Sequence, residues 1–215
     1  MAEIRTLKVD GFYEAILGMR NAFKTRDKID SESDHIGEAD KILMNKLLAS
    51  KFECDAKFMR MIIVWSDWYM PRMVWPEIDT YHFNSKNSES TMHTLLSKDG
   101  EFRPFMFEQH GADSFTLESI KRSCDDLNYL RSKYQAAKAI HDSQVMNETL
   151  RQAKLILPES FIQMRTVCTN YAELRHMYMQ RKNHRLWEWN TVFVDWIKTL
   201  PYSELITGES NDRND

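Results

Sequence analysis

The sequence predicts a helix-rich α/β fold in one domain, and three observations carry that prediction. Residues 117–140 place Leu117, Ile120, Cys124, Leu127, Leu130, Tyr134 and Ala137 at three- and four-residue steps, the pattern of an amphipathic helix. Two short runs, 59–68 and 161–169, are apolar and β-branched enough to be strands. Only six Gly and five Pro interrupt 215 residues, 28% of them charged, so long structured segments are expected in one substantial domain. That domain is expected over 1–206, with 207–215 (TGESNDRND) a flexible tail.

The remaining elements follow in chain order. Phe12, Ala15, Ile16, Met19 and Phe23 form one stripe of a helix over 12–23, and a polar loop covers 24–37. Helical period returns over 38–50 through Ile42, Leu43 and Leu47. Pro71 and Pro76 bracket a segment of one or two helical turns at most. Residues 79–93 (DTYHFNSKNSESTMH) have no hydrophobic period, and 98–113 read as loop with a strand around Phe105. A helix over 147–156 stops before Pro158. Asn170 and Glu173 have capping-box spacing and open another helix. The last helix is expected to bury Leu186, Trp189, Phe193, Trp196, Ile197 and Leu200, and Pro201 ends it.

Composition narrows the function classes. A 42% hydrophobic share supports a real core, and no apolar run approaches the roughly 18 residues of a membrane span. The opening residues lack the basic-then-apolar order of a signal peptide. Cys54, Cys124 and Cys168 are scattered without CxxC spacing, so no disulfide framework or zinc knuckle is indicated, and a cytoplasmic location is expected. Net charge is −3, which argues against nucleic acid and membrane partners. Locally, residues 151–188 hold seven Lys/Arg (Arg151, Lys154, Arg165, Arg175, Arg181, Lys182, Arg185) against Glu159, Glu173 and Glu188, a balance that suits a small anion or a solvated helix face.

Familiar chemical motifs are few. His82 and His93, and His184 with Glu188 at i, i+4, lack a third ligand, so ordinary polar contacts are expected and no metal. Neither GxSxG, GxGxxG nor GxxxxGK[ST] occurs. What remains is the Asn/Ser segment, where Asn84, Ser85, Asn87, Ser88, Ser90 and Thr91 offer short donors after a strand and a Pro-bounded turn.

Here the chain resembles the flavin-dependent thymidylate synthases. Their signature is an Arg-His-Arg triplet followed by Ser, Asn, Ser and Arg-Tyr, after a proline that leads in six residues to a glutamine. In this chain Glu77 lies six beyond Pro71, Thr80, Tyr81 and His82 occupy the triplet, and Ser85, Asn87 and Ser90 fall on Ser, Asn and Ser. Met92 and His93 replace Arg-Tyr, and Glu89 stands one step later than the family's Glu, whose place Ser88 takes. The second half matches without a gap: Lys154 precedes Leu157-Pro158, Asn170 starts a helix, and Arg181 lies eleven beyond it. The resemblance covers roughly 38–200.

The resemblance implies a central, mostly antiparallel sheet in an α/β (α+β) domain. It implies one-carbon transfer to C5 of a pyrimidine deoxynucleotide such as dUMP, with FAD as cofactor and NADPH and methylene-tetrahydrofolate as co-substrates. Arg181 is implied as catalytic, facing the uracil edge. Thr80, Tyr81, His82, Ser88, Asn170, Ala172 and His176 are implied at the cofactor, and Glu77, Ser88, Glu89, Ser90, Met92, Lys154 and Arg181 at the substrate. A homotetramer with shared sites is implied, for which Trp187, Trp189 and Trp196 are candidate anchors. The missing triplet arginines leave two alternatives: C5-hydroxymethylation, or a catalytically silent nucleotide- or flavin-binding homologue.

Overall fold

The computed structural model, which describes residues 1–33, 35–50, 53–97 and 100–209, contains helices and a four-stranded sheet. The strands are β1 (Glu3–Asp10), β2 (Ile63–Pro71), β3 (Ser85–Ser88) and β4 (Ile162–Asn170), in the order β1-β2-β4-β3. The helices are α1 (Phe12–Asn21), α2 (Glu38–Leu48), α3 (Trp75–Ile78), α4 (Thr91–Thr94), α5 (Ser114–Ala139), α6 (Ser143–Ile156), α7 (Tyr171–Arg181), α8 (Val194–Thr199) and α9 (Glu204–Thr207). Helix and antiparallel sheet are mixed, as the resemblance implies. Residues group into two compact units: Met1–Glu3, Trp68–Thr80 and Asn87–Arg165 form one, and Ile4–Asp67, Tyr81–Lys86 and the chain from Thr166 onward form the other. No helix among the described residues is long and apolar enough to cross a membrane.

In the first unit, α5 and α6 pack as a helical hairpin across a three-residue connection. His141 turns the chain at φ 55°, and Asp142 N–H returns to Ala137 O. Each helix opens on an aspartate: Asp113 accepts from Thr116 N at 2.8 Å and Asp142 from Val145 N at 3.1 Å. Hydrogen bonds from Thr116 hold the Asp113 carboxyl below its ordinary value. Ile120, Cys124, Leu127 and Leu130 meet Phe102, Phe107, Ala153, Leu157 and Phe161 in one buried cluster. The stripe read from the sequence is therefore the buried one, except that Leu117 is exposed and Tyr134 half-buried.

The second unit is organised by a buried ion pair. Arg20 Nε lies 2.5 Å from Asp40 Oδ1, with Asp40 fully buried. Asp40 Oδ2 also accepts from Ser31 Oγ at 2.7 Å and Asp30 N at 3.2 Å. Asp30 in turn accepts from Ala39 N and Asp40 N, so the 24–37 loop caps α2 through its own carboxylate. A side chain at Gly37 would meet Asp30 at 2.3 Å, which is why glycine stands there. Gly11, at φ +92°, likewise has Met61 O where a Cβ would sit. Tyr171 is fully buried, edge-on to Phe12, and its hydroxyl donates to Pro201 O at 2.5 Å. Burial pushes this phenol well above its ordinary pKa, and the nearby Glu204 adds to the effect.

Several sequence expectations need correction. Residues 3–10 form an edge strand with only Ile4 buried, and its alternating charges disguised it. The run at 59–68 divides: a 3-10 segment (Glu53–Met61) buries Met59, and β2 starts only at Ile63, because a short apolar run does not distinguish strand from buried turn. Phe23 and Ile42 are exposed, and Met44 and Asp40 form the buried face of α2. Residues 85–88 pair as β3 and 91–94 turn as α4, within a stretch read as loop. Around Phe105 there is a 3-10 turn (Pro104–Met106), and the strand-like bridge falls at Phe107, opposite Phe161. Thr207 is buried and helical, with Gly208 in the left-handed cap, so the expected tail does not begin there; 210–215 lie outside the described residues.

Replacing Asp40 by Ala leaves Arg20 buried without its counter-charge, and should cost about 3–5 kcal/mol of unfolding free energy. Urea unfolding followed by circular dichroism measures this. An unchanged midpoint would show that the pair does not organise the unit.

Candidate functional site

Asn170 closes β4 and opens α7, as its capping-box spacing predicts. Its Oδ1 accepts from Glu173 N at 3.0 Å. Glu173 is buried and accepts from Phe83 N at 3.4 Å. Phe83 O receives Thr169 Oγ1 at 3.3 Å, and Asn84 Nδ2 donates to Tyr81 O at 2.8 Å. Residues 81–84 are thereby tied to the start of α7.

At the other end of α7, four side chains form a hydrogen-bonded row. Arg181 Nε donates to Tyr81 Oη at 2.8 Å, and Tyr81 Oη donates to Gln180 Oε1 at 2.8 Å. Gln180 Nε2 lies 3.0 Å from His176 Nε2. Since that amide nitrogen only donates, His176 Nε2 accepts and the ring carries its proton on Nδ1. The Arg181 guanidinium also lies over Trp189, 4.8 Å from the ring centroid, and 5.6 Å from that of Tyr81. Tyr81 is buried and makes edge contacts with His176 and Trp189. Trp189 itself sits in a π-helical turn, Glu188–Phe193, a geometry found often at functional positions.

The structure thus brings Tyr81 to His176 and Arg181 of α7. Gln180 and Trp189 complete the group; the sequence reading passes over Gln180 and takes Trp189 only as a buried or interface residue. Gln180 had a signal, its place beside Arg181 one turn beyond His176. Trp189 had none, since its position depends on the wide turn. Ala172 is half-buried in the first turn of α7, and His82 is exposed beside Tyr81.

The residues expected at the substrate lie mostly in the other unit. Lys154 Nζ is 2.9 Å from Met92 Sδ, which brings together two residues 62 positions apart. They share an open groove of about 440 Å³ with Asn147, Leu150, Arg151 and Leu155. Glu89 is fixed by its backbone to β4, its N–H donating to Met164 O at 2.9 Å and its carbonyl accepting from Gln163 Nε2 at 2.7 Å. Ser88 is exposed and Ser90 half-buried beside it. Thr80 is exposed and its hydroxyl donates back to Glu77 O at 2.7 Å. Next to these, Arg165 stacks on Trp75 at 4.0 Å and grips both oxygens of Asp79 at 3.1 and 3.2 Å.

Two lesser expectations change. His184 and Glu188 do not share a helix: α7 ends at Arg181, and His184 Nδ1 accepts from Leu186 N at 3.2 Å. No group of three metal-binding side chains occurs among the described residues. Trp189 and Trp196 cannot anchor a subunit face because they are buried within the chain, Trp196 donating to Thr6 Oγ1 at 2.9 Å; Trp187 is half-buried.

Tyr81→Phe removes one acceptor and one donor from the row. Unfolding free energy should fall by about 1 kcal/mol, and the Trp189 fluorescence should shift as Arg181 is released. Wild-type stability and emission would show that the row does not hold Arg181.

No protein-family model matches the sequence, and no curated protein does. Solved structures do. The chain is similar to thymidylate synthase X from Helicobacter pylori with FAD and dUMP, at 16% identity and TM-score 0.70, covering 97% of this chain and 98% of that one. A second structure, of flavin-dependent thymidylate synthase from the same organism complexed with FAD and dUMP, gives 17%, 0.67, 96% and 98%. A UMP/dUMP methylase from Streptomyces cacaoi bound with 5-Br dUMP gives 16%, 0.62, 97% and 95%. With nearly complete coverage in both directions, the chain has the fold of the flavin-dependent thymidylate synthases.

Proposed function

We propose that this protein is a divergent flavin-dependent thymidylate synthase-like enzyme that modifies C5 of a pyrimidine nucleotide of the dUMP type. The observation that carries the reading is the clamped Arg181, a cation held between Tyr81 and Trp189 at the position where the family's motif requires arginine. For C5 to attack, the uracil ring must build negative charge at N3 and O2. A guanidinium already fixed in place stabilises that charge without reorganising during the reaction. Lysine is a poor substitute, since a point charge lacks the planar fork.

The residues present fit FAD. His176 and His82 are exposed, and the first turn of α7 offers backbone donors beside the small Ala172. These are donors for flavin carbonyls, ribityl hydroxyls and phosphate oxygens. Asn170 spends its Oδ1 on the helix cap, which leaves its amide N–H groups for the cofactor. When bound, FAD supplies the redox chemistry, with NADPH as reductant and methylene-tetrahydrofolate as one-carbon donor. Lys154 is assigned to the nucleotide phosphate, with Ser88 and Ser90 as hydroxyl donors.

Flavin is tested first: protein denatured after purification should release FAD, and apoprotein should bind added FAD saturably. Absence of both overturns the reading. Steady-state turnover of dUMP then separates the roles. Arg181→Ala should lose roughly a hundred- to a thousandfold in kcat, and Arg181→Lys should recover only part of it. Lys154→Ala should mainly raise KM, because a phosphate is held about equally in ground and transition states. An Arg181→Ala variant at the parent rate would overturn the catalytic assignment. Mass analysis of the product distinguishes methylation from hydroxymethylation.

A further inference from the structure

The groove beside Lys154 holds a second cation that the proposed reading leaves unused. Arg151 and Lys154 are three residues apart on α6, so both project from one face and both line the groove, with Met92 opposite Lys154 and Asn147, Leu150 and Leu155 around them. No carboxylate lines it. The acid best placed to neutralise Arg151 is Glu148, one turn earlier, and its Oε1 accepts instead from Gln144 Nε2 at 3.0 Å. Among the described residues, neither Arg151 nor Lys154 forms an ion pair with an acid.

Two like charges one turn apart oppose each other, by an amount comparable to what an opposite pair would contribute. The helix dipole accounts for one of them. Lys154 lies in the last turn of α6, where a cation is favoured, but Arg151 stands a turn earlier, where that effect has faded. The neighbour of the Lys154 ammonium is equally informative. A thioether is a weak acceptor, so the contact with Met92 positions the ammonium and leaves its charge uncompensated.

Resting on the proposed nucleotide reading, we infer that Arg151 and Lys154 together form a dianion site, specific for a terminal phosphate monoester such as that of a 5′-mononucleotide. The two cations match the two charges of a phosphate monoester. Arg151 supplies a planar fork for two phosphate oxygens, and Lys154 supplies a point charge beside it. Leu150, Leu155 and Met92 line the rest of the groove and offer the phosphate no competing charge. A neutral nucleoside gains nothing from this pair, so the groove selects by charge and leaves base identity to other residues.

The test is calorimetric titration of the full chain, with FAD supplied, using dUMP, deoxyuridine and inorganic phosphate at two salt concentrations. Arg151→Gln should weaken dUMP binding roughly ten- to a hundredfold, the range for one charge-assisted contact. It should also flatten the salt dependence and leave deoxyuridine unchanged. Arg151→Lys should recover part of the loss, a rescue that a merely structural role does not produce. If Arg151→Gln binds dUMP like the parent while Lys154→Gln does not, the second cation is refuted and the nucleotide reading stands. Equal weakening of dUMP and deoxyuridine by Arg151→Gln also refutes it. Should the parent itself bind no nucleotide, the proposed function falls, and the inference with it.

Discussion

A phenol buried from water must have its hydroxyl paired, and the candidate site follows from how Tyr81 meets that requirement. The hydroxyl both accepts from Arg181 and donates to Gln180, and these two partners are neighbours at the end of α7. One hydroxyl therefore ties the loop that carries it to the last turn of the helix. An unpaired hydroxyl in that position would cost on the order of 1–3 kcal/mol. Together with the bonds from Glu173 and Thr169 to Phe83, this pairing holds the segment at 81–84 and the orientation of Arg181.

The rest of the second unit keeps α7 where this pairing needs it. Asn170 caps its first turn, Glu173 holds Phe83, and buried Tyr171 fastens its start to Phe12 and Pro201. Arg175 reaches Leu205 O at 3.0 Å, and burial lowers the pKa of its guanidinium. The helix is therefore anchored at its first residue, along its length and at its last. Pre-organisation of this kind is what an electrostatic catalyst needs, since a cation that must first move into place has lost much of its advantage.

How far the sequence could be read depended on the range of the interaction. Local signals held: the Leu127 stripe of α5, the Asn170 cap and the Pro158 stop are all set by residues within one or two turns. The family resemblance points to Tyr81, His176 and Arg181, and these three side chains meet in the fold. Nothing local revealed that Tyr81 is buried, that Trp189 lies under Arg181, or that Lys154 meets Met92, because each contact depends on chain segments distant in sequence. The edge strand at 3–10 was missed for a different reason. An exposed edge has little hydrophobic period to read, and its charges serve to keep it from pairing with other chains.

The π-helical turn at 188–193 resolves a conflict of phase. Val194 N–H reaches back five residues to Trp189 O, so the turn holds one more residue than an α-helix would. At its start, Trp189 must lie against Arg181. Downstream, Trp196 must reach Thr6 and Ile197 must turn inward. An α-helix advances about 100° per residue, so a regular helix through both places would leave one set of side chains a quarter-turn or more out of line. The extra residue absorbs that angle. Within this segment side-chain identity is therefore less constrained than residue count: a conservative replacement leaves the angular sum intact, whereas a one-residue deletion after Trp189 swings everything that follows away from its partners.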